Sequence, residues 1–435
     1  MKKRLILVSL DALSTTDFSL VKNLPHFKTM IENGAYCPKE YSVYPSLTFP
    51  CHATISTGCR PGTHGIVSNY LFDPYRKIPH WNFYAANLKK KGLWDYANQN
   101  GKTVLNMSWP VTSGAKIRWS MPEMTPVKPK VWTTANFFRQ LEVFRRYGTP
   151  LFAVQSFLAE RGLMKNWLTG KQPDLDRHIT TQFQRAVRQY PYDIAMLHVY
   201  GMDNAKHTYG IDSPEAHSFL KFYDDFLGNL IAYVDERKQA GESICLMVTG
   251  DHSQLPVNKA IYLNMLLNHI GLCRYKGGKL ADWDAIFAPC DGSAYLYVKH
   301  PEQTAAVVQR VRKALADNPA VQAIFTPEEA AALGADPQCS LMVEAASGYG
   351  TEVAWHDPQK LDSNFTGPCH CKGLHGFLPD RPDYQTMFFC YGADVRPGFE
   401  IQDMCITDIM PTICHWMNMP IEPVDGKAIP DIFRT

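Results

Sequence analysis

Three short apolar runs of the chain are each followed by an aspartate. The runs are LILVSL (5–10), IAMLHVYGM (194–202) and ICLMVTG (244–250), and the aspartates are Asp11, Asp203 and Asp251. Nearly continuous apolar runs of this length are typical of parallel strands that are buried on both faces of a sheet. The pattern therefore predicts three buried strands, the first of them over residues 5–10.

Helical patterns lie between these strands, the clearest of them over 213–239. Ser213 is its N-cap, Pro214 lies in the first turn and Gly241 follows the end. Strands that alternate with helices predict an α/β fold with a mostly parallel central sheet and helices on both faces. Ligands of such sheets bind at the carboxyl ends of the strands, where all three aspartates lie. The alternative is that the aspartates are independent helix caps.

The region 256–370 has a different pattern from the rest of the chain. It contains a strand-like segment over 293–300, a helical pattern over 301–318, a second strand over 320–326 and a helix over 327–334. We predict that 256–370 is a smaller α+β cap domain inserted into the core. The catalytic core then comprises residues 1–255 and 371–435.

Composition excludes several classes of protein. Of the 435 residues, 45% are hydrophobic and 20% are charged, which excludes a disordered or collagen-like chain. The net charge of +2 gives no general attraction to DNA, RNA or anionic lipid, so we expect neither a nucleic-acid polymer nor a membrane as partner. An anionic substrate must then be held locally, by metal ions or by a helix N-terminus.

The N-terminal sequence MKKRLILVSLDALS has the basic start of a signal peptide. Its apolar run is shorter than a secretory core, and no small-residue cleavage site follows it. We therefore expect a cytoplasmic protein whose twelve cysteines are reduced. The cluster Cys369-His370-Cys371 near His375 could form a zinc knuckle, but it lacks a second cysteine pair at finger spacing.

Six side chains along the core have the chemistry of metal ligands: Asp11, Asp203, His207, Asp251, His252 and His375. Asp203 and His207 are four residues apart, so both reach one point if the segment is helical. Mixed Asp and His ligands suit zinc or manganese, and iron is also compatible. Six ligands suffice for two ions that share a substrate oxygen, as in two-metal phosphoryl transfer.

A nucleophile is available in the segment YPSLTFPCHATISTG (44–58). Pro50 in a first turn and Gly58 near the end predict a helix with Thr48 just before its N-terminus, where backbone amides favour an anion. A hydroxyl beside a metal ion is readily ionised and can act as a nucleophile. The alternative is that Thr48 or Ser46 is only an N-cap.

The order of these motifs provides a resemblance to a known family. PSLTFPCHATISTG with RPGTHGIVSN, SWPVTSG, DNAKHTYG, GDHS and GLHGF resemble the type I phosphodiesterase / nucleotide pyrophosphatase family of the alkaline phosphatase superfamily. The resemblance covers about 4–255 and 365–425. It implies two zinc ions, one held by Asp11, Thr48, Asp251 and His252, the other by Asp203, His207 and His375. It also implies that Thr48 attacks phosphorus and forms a phospho-threonine intermediate.

Three further positions bear on substrate binding. Phe49 matches a family position that stacks on the base or leaving group, although it could also be a packed aromatic residue. Cys51 stands where the family has an asparagine that helps to bind a phosphoryl oxygen. Lys206 lies between two predicted ligands, pointing either to solvent or toward a substrate with an additional negative charge.

The sequence thus predicts a metal-dependent phosphoric ester hydrolase that cleaves phosphodiester or phosphoanhydride bonds in a small phosphorylated substrate such as a nucleotide. One alternative is a phosphonoacetate hydrolase-like enzyme or a phosphomonoesterase on the same scaffold, since fold alone does not distinguish these. A second alternative is a catalytically silent binding protein. The sequence leaves the oligomeric state open.

Overall fold

The computed structural model describes residues 2–76, 80–123, 142–159, 171–353 and 361–434. The strands are β1 (Lys3–Leu10), β2 (Ala35–Glu40), β3 (Val104–Met107), β4 (Trp119–Met121), β5 (Ile194–Val199), β6 (Ser243–Thr249), β7 (Leu255–Ile261), β8 (Cys273–Lys276), β9 (Lys279–Trp283), β10 (Ala285–Cys290), β11 (Ser293–Val298), β12 (Val321–Phe325), β13 (Leu341–Ala345), β14 (Gly348–Thr351), β15 (Thr366–Pro368), β16 (Gly373–Leu374), β17 (Thr386–Gly392) and β18 (Phe399–Glu400). The helices are α1 (Phe18–Val21), α2 (Pro25–Asn33), α3 (Thr48–Thr57), α4 (Pro61–His64), α5 (Leu93–Gln99), α6 (Pro150–Ala159), α7 (Asp174–Gln189), α8 (Gly201–Tyr209), α9 (Pro214–Gln239), α10 (Leu263–His269), α11 (Thr304–Leu315), α12 (Pro327–Ala332) and α13 (Ile409–Trp416).

The central sheet contains eight strands in the described part of the chain, in the order β18-β2-β17-β6-β1-β5-β3-β4. The five strands from β6 to β4 are parallel to one another. Strand β17 is antiparallel to both of its neighbours. The three apolar runs form β1, β5 and β6, which are adjacent at the middle of the sheet. The prediction of a mostly parallel sheet is confirmed.

Both faces of this sheet are covered, because alternate side chains of each strand enter different apolar clusters. In β1, Ile6 and Val8 pack with residues of α2, α7 and α9, whereas Leu5 and Leu7 pack with residues of α3, α5 and α13. The predicted helix 213–239 is α9, and its N-cap Ser213 accepts a hydrogen bond from the backbone N–H of Ala216. Helices therefore lie on both faces, as the α/β prediction requires.

A second group of elements lies between β7 and β16. Strands β10, β11, β13 and β12 form an antiparallel sheet that shares an apolar cluster with α10 and α11. The predicted elements are present as β11, α11, β12 and α12. A small sheet centred on β7 pairs with β16, next to His375. Division into a core and a cap domain stays a prediction.

The topology brings the three aspartates to one edge. Since β6, β1 and β5 are parallel neighbours, their carboxyl ends lie side by side. Asp11 follows β1 directly, Asp251 follows β6, and Asp203 lies in the first turn of α8 after β5. Among the helices that the structure describes, none has both the length and the apolar character to cross a bilayer.

Candidate metal centre

The first group of side chains surrounds the Nε2 atom of His252. This atom lies 3.3 Å from Oγ1 of Thr48 and 3.3 Å from Oδ2 of Asp251. It also lies 3.4 Å from Oδ1 of Asp11. All four side chains are buried. The structure therefore brings together the four residues predicted for one ion.

Protein contacts orient the two carboxylates of this group. Oδ2 of Asp11 is 3.1 Å from Nε2 of His198, and Oδ1 of Asp251 accepts a hydrogen bond from the backbone N–H of Ala12. The remaining oxygens, Oδ1 of Asp11 and Oδ2 of Asp251, are buried without a hydrogen-bond partner in the described structure. These two oxygens are the ones nearest to His252. Each carboxylate thus presents one free acceptor to the centre of the group.

The second group is formed by Asp203, His207 and His375. The prediction that Asp203 and His207 lie one turn apart on a helix is confirmed, since both belong to α8. Oδ1 of Asp203 lies 3.3 Å from Nε2 of His207 and 3.9 Å from Nε2 of His375. Nδ1 of His207 is 2.7 Å from the carbonyl oxygen of Gly373, so its N–H donates there and Nε2 faces Asp203. The amide of Gln254 donates to the same Asp203 oxygen.

The pKa values of the carboxylates in the site indicate that a bound cation would stabilise their charged forms. Burial, with the carboxylate of Asp203 adding to it, raises the pKa of Asp11 to about 7. Burial and then Asp11 raise the pKa of Asp251 well above its usual range. Burial alone would raise the pKa of Asp203, yet the rings of His207 and His375 lower it below its usual range. The two buried carboxylates of Asp11 and Asp251 thus lack sufficient positive charge nearby, which a bound cation would supply.

The geometry of the donors fits a small divalent metal ion. Tetrahedral zinc with bonds of 2.0–2.1 Å has neighbouring ligand atoms about 3.3 Å apart. The distances around His252 and between Asp203 and His207 have this value. Two groups of described residues have donor atoms that all lie within 4.8 Å of one another: Asp11, Asp251 and His252, and Asp203, His252 and His375. The Cys369 and Cys371 thiols belong to neither group, so the alternative of a zinc knuckle has no support.

Thr48 is the first residue of α3, whereas the prediction placed it just before the helix. The N-cap position is Leu47, and no side chain caps this helix. Oγ1 of Thr48 lies near His252 instead, and Ser46 donates to the carbonyl of Phe377. The interpretation of Thr48 or Ser46 as a simple N-cap is therefore wrong. Gly58 ends the helix with φ of 67°, as predicted.

The thiol of Cys51 lies in the protein interior, against Ser42. Its side chain is fully buried in an apolar cluster, with Sγ 3.2 Å from Oγ of Ser42. The residue that sequence reasoning missed is Asn69, whose Oδ1 accepts a hydrogen bond from the backbone N–H of Phe49 beside Thr48. Asn69 thus places a side-chain amide beside the backbone of Phe49, and its place at the end of RPGTHGIVSN was the available signal.

Lys206 is buried and points neither to solvent nor into the centre. Its Nζ is 2.7 Å from Oδ2 of Asp17, 2.9 Å from the carbonyl oxygen of Ala12 and 3.2 Å from Oγ of Ser14. All three ammonium hydrogens are therefore used within the protein. Ala12 has φ of 61°, and its N–H holds Asp251. Lys206 thus supports this turn, which corrects both predictions made for it.

Phe49 is fully buried, as the packing alternative predicts. Its ring centroid lies 5.3 Å from that of Trp81 and 5.7 Å from that of Phe83. Tyr70 packs on Trp81 with ring centroids 4.6 Å apart and is exposed to solvent. The accessible aromatic surface near Thr48 is therefore provided by Tyr70 and Trp81, with Phe49 beneath them.

Comparison with known proteins adds the following findings. The sequence matches the family described as type I phosphodiesterase / nucleotide pyrophosphatase over residues 5–378. It is 22% identical over 449 residues to human ectonucleotide pyrophosphatase/phosphodiesterase family member 5, covering 98% of this chain and 76% of that protein. It is 26% identical over 432 residues to Mus musculus bis(5'-adenosyl)-triphosphatase enpp4, covering 97% of this chain and 79% of that protein.

Solved structures show the same fold. Human ENPP5 has a TM-score of 0.69 with 19% identity, and the similarity covers 100% of both chains. Murine ENPP5, in an inactive variant with a threonine replaced by alanine and in complex with AMP, has a TM-score of 0.68 with 19% identity, covering 99% of this chain and 100% of that chain. The alkaline phosphatase-like α/β fold is thereby confirmed.

Proposed function

Because the chain belongs to the type I phosphodiesterase / nucleotide pyrophosphatase family of phosphoric ester hydrolases, we propose that it cleaves phosphodiester or phosphoanhydride bonds with two metal ions and Thr48 as nucleophile. The observation that carries this proposal is the position of Thr48. Its hydroxyl lies at the start of α3, 3.3 Å from Nε2 of His252 and next to two carboxylates with unpartnered oxygens.

Zinc is the metal that we propose, since mixed Asp and His donors at tetrahedral spacing suit it, with manganese or iron as alternatives. Asp11, Thr48, Asp251 and His252 would hold one ion, and Asp203, His207 and His375 would hold the other. Bound there, the ions would lower the pKa of hydroxyl groups and offset charge on the phosphoryl oxygens.

The protein groups around Thr48 suit an in-line displacement. Oγ1 of Thr48 releases its proton to solvent and forms a bond to phosphorus, while the bond from phosphorus to the leaving oxygen breaks and that oxygen departs with the electron pair. The N–H of Thr48 at the start of α3 and Nδ2 of Asn69 donate to the non-bridging oxygens. A water molecule then attacks phosphorus, the bond to Oγ1 breaks, and Thr48 regains its proton.

A nucleotide substrate is supported by the aromatic surface and by the relatives. Tyr70 and Trp81 offer ring faces on which a base can stack. One relative is a bis(5'-adenosyl)-triphosphatase by its name, and the murine ENPP5 structure contains AMP. That murine protein is an inactive threonine-to-alanine variant, which supports a nucleophilic threonine.

The proposal also includes a cytoplasmic location. All twelve cysteines are free thiols, and the sulfurs of Cys245 and Cys390 are unbonded although they lie 3.3 Å apart. Thiol titration of protein isolated from its own cells under alkylating conditions should count twelve free thiols. Blocked cysteines, or recovery of the protein from the medium, would contradict this part of the proposal.

The test of the function compares four chromogenic or small substrates at equal concentration: bis-p-nitrophenyl phosphate, a p-nitrophenyl ester of a nucleoside monophosphate, p-nitrophenyl phosphate and phosphonoacetate. We expect the two diesters to be hydrolysed fastest. Faster turnover of the monoester or of phosphonoacetate would favour the alternative reactions on this scaffold, and no turnover at all would favour the binding protein.

The role of Thr48 is tested on the best substrate of this panel. Thr48→Ala should lower kcat at least 10³-fold because the nucleophile is removed. Thr57→Ala, in the last turn of the same helix, is the matched control, since its hydroxyl donates to the carbonyl of Ala53 and accepts from the N–H of Cys59. Activity that persists in Thr48→Ala would mean that water attacks the substrate directly.

A further inference from the structure

Asp291 lies beside the second group of metal ligands without having been assigned to it. It is at the tip of the hairpin between β10 and β11, within the inserted region. Its Oδ2 is 3.5 Å from Nε2 of His375, and its side chain is 39% exposed. The centre therefore meets the inserted region at this carboxylate.

The hairpin tip is fixed against the segment that carries His375. The N–H of Gly292 donates to the carbonyl oxygen of His375, and the carbonyl of Asp291 accepts from the N–H and hydroxyl of Thr351. A Cβ atom at Gly376 would overlap the carbonyl of Cys290. The carboxylate of Asp291 is thus attached to a backbone whose position is determined on both sides.

The turn at the tip of this hairpin has two central residues, because Cys290 pairs with Ser293. Asp291 has φ of 60°, which aspartate and asparagine adopt more readily than most other residues with a side chain. The hairpin therefore carries a carboxylate at its tip, and this carboxylate faces His375.

The side of His375 that Asp291 approaches is informative. A carboxylate that only orients a metal-bound histidine bonds to the ring nitrogen that is not on the metal. For His375 that atom is Nδ1, which is buried without a hydrogen-bond partner in the described structure. Asp291 instead faces Nε2, the atom that also faces Asp203. Its distance of 3.5 Å is close to the spacing of about 3.3 Å between two ligands of one tetrahedral ion.

We propose that Asp291 is a fourth protein donor to the metal position formed by Asp203, His207 and His375, supplied by the inserted hairpin. This inference rests on the proposed function, because it requires an ion at that position. Catalytic zinc can become five-coordinate, so a fourth protein donor still admits a substrate oxygen. The inserted region then completes the metal centre rather than only covering it.

The test measures metal affinity rather than activity. Wild-type protein, Asp291→Asn and Asp317→Asn are loaded with zinc and titrated with a chromogenic chelator, which resolves the two ions. Asparagine tolerates a positive φ, so the turn is retained. Asp317 is the matched control because it also has φ of 60°, in the loop between α11 and β12. Urea unfolding verifies that all three proteins are equally folded.

We expect the more weakly held ion to dissociate at least tenfold more readily from Asp291→Asn, with the other ion and the Asp317→Asn control unchanged. Cobalt-substituted protein should also show an altered visible spectrum in Asp291→Asn only. Equal affinities in all three proteins would overturn the role of Asp291 alone. Wild-type protein that binds fewer than two ions would overturn the proposed function and this assignment with it.

Discussion

Substitution of Lys206 gives the sharpest test of the buried ion pair that supports the turn next to the metal centre. The side chains of Lys206 and Asp17 are only 1% and 4% exposed, and their charged atoms are 2.7 Å apart. Lys206→Met keeps the apolar stem but removes the charge. The carboxylate of Asp17 then keeps one hydrogen bond, from the N–H of Ser14. Removing one partner of a buried ion pair costs about 3–5 kcal/mol, because the other charge stays buried.

We therefore expect Lys206→Met to lower the free energy of unfolding by about 3–5 kcal/mol in urea. The double variant with Asp17→Asn should recover much of this loss, since no uncompensated charge is left. Lys28→Met is the control. Lys28 and Glu32 also form an ion pair, but both are exposed, so its loss should cost less than about 1 kcal/mol. If Lys206→Met loses less than about 1 kcal/mol of unfolding free energy and its KM is raised, the structural role of Lys206 is refuted. The interpretation that Lys206 binds substrate would then be favoured again.

Three further substitutions test separate parts of the account. Asn69→Asp keeps the acceptor for the N–H of Phe49 but removes the donor, so kcat should fall by about 10²–10³-fold with little change in KM; an unchanged kcat would exclude Asn69 from phosphoryl binding. Cys51→Ala should leave kcat/KM within threefold, because the thiol is fully buried against Ser42, and a large kinetic loss would assign Cys51 to substrate binding again. Burial lowers the pKa of His64 from 6.5 to about 3, so the unfolded chain takes up a proton first as the pH falls, and folding stability is lost below pH 6.5. Between pH 6.5 and 4.5, wild-type protein should lose about 2–3 kcal/mol more unfolding free energy than His64→Asn, and equal losses would contradict the assignment.

The sequence predicted the parts of the fold that depend on local pattern. The apolar runs became β1, β5 and β6, and the signals at Ser213 and Pro214 marked the start of α9. Because neighbouring parallel strands end at one edge, the convergence of Asp11, Asp203 and Asp251 followed from strand order. These predictions needed only periodicity and the common topology of α/β sheets.

Side-chain orientation within the site was less accessible, because it depends on contacts between segments that are distant in sequence. Lys206 is paired with Asp17 and not with a substrate, and nothing in the spacing of the two residues indicates that contact. The same applies to His198, which orients Asp11 from a neighbouring strand, and to Asp291, which reaches His375 from the hairpin between β10 and β11. Such contacts are set by tertiary packing.

The stereochemical course at phosphorus tests the central claim most directly. A phosphodiester of known configuration at phosphorus, in which one non-bridging oxygen is replaced by sulfur, is hydrolysed by wild-type protein in water labelled with an oxygen isotope. The configuration of the thiophosphate product is then determined by phosphorus NMR. Attack by Thr48 followed by attack of water is two in-line displacements, which predicts net retention of configuration. Inversion would show a single displacement by water and would contradict the role of Thr48 as nucleophile.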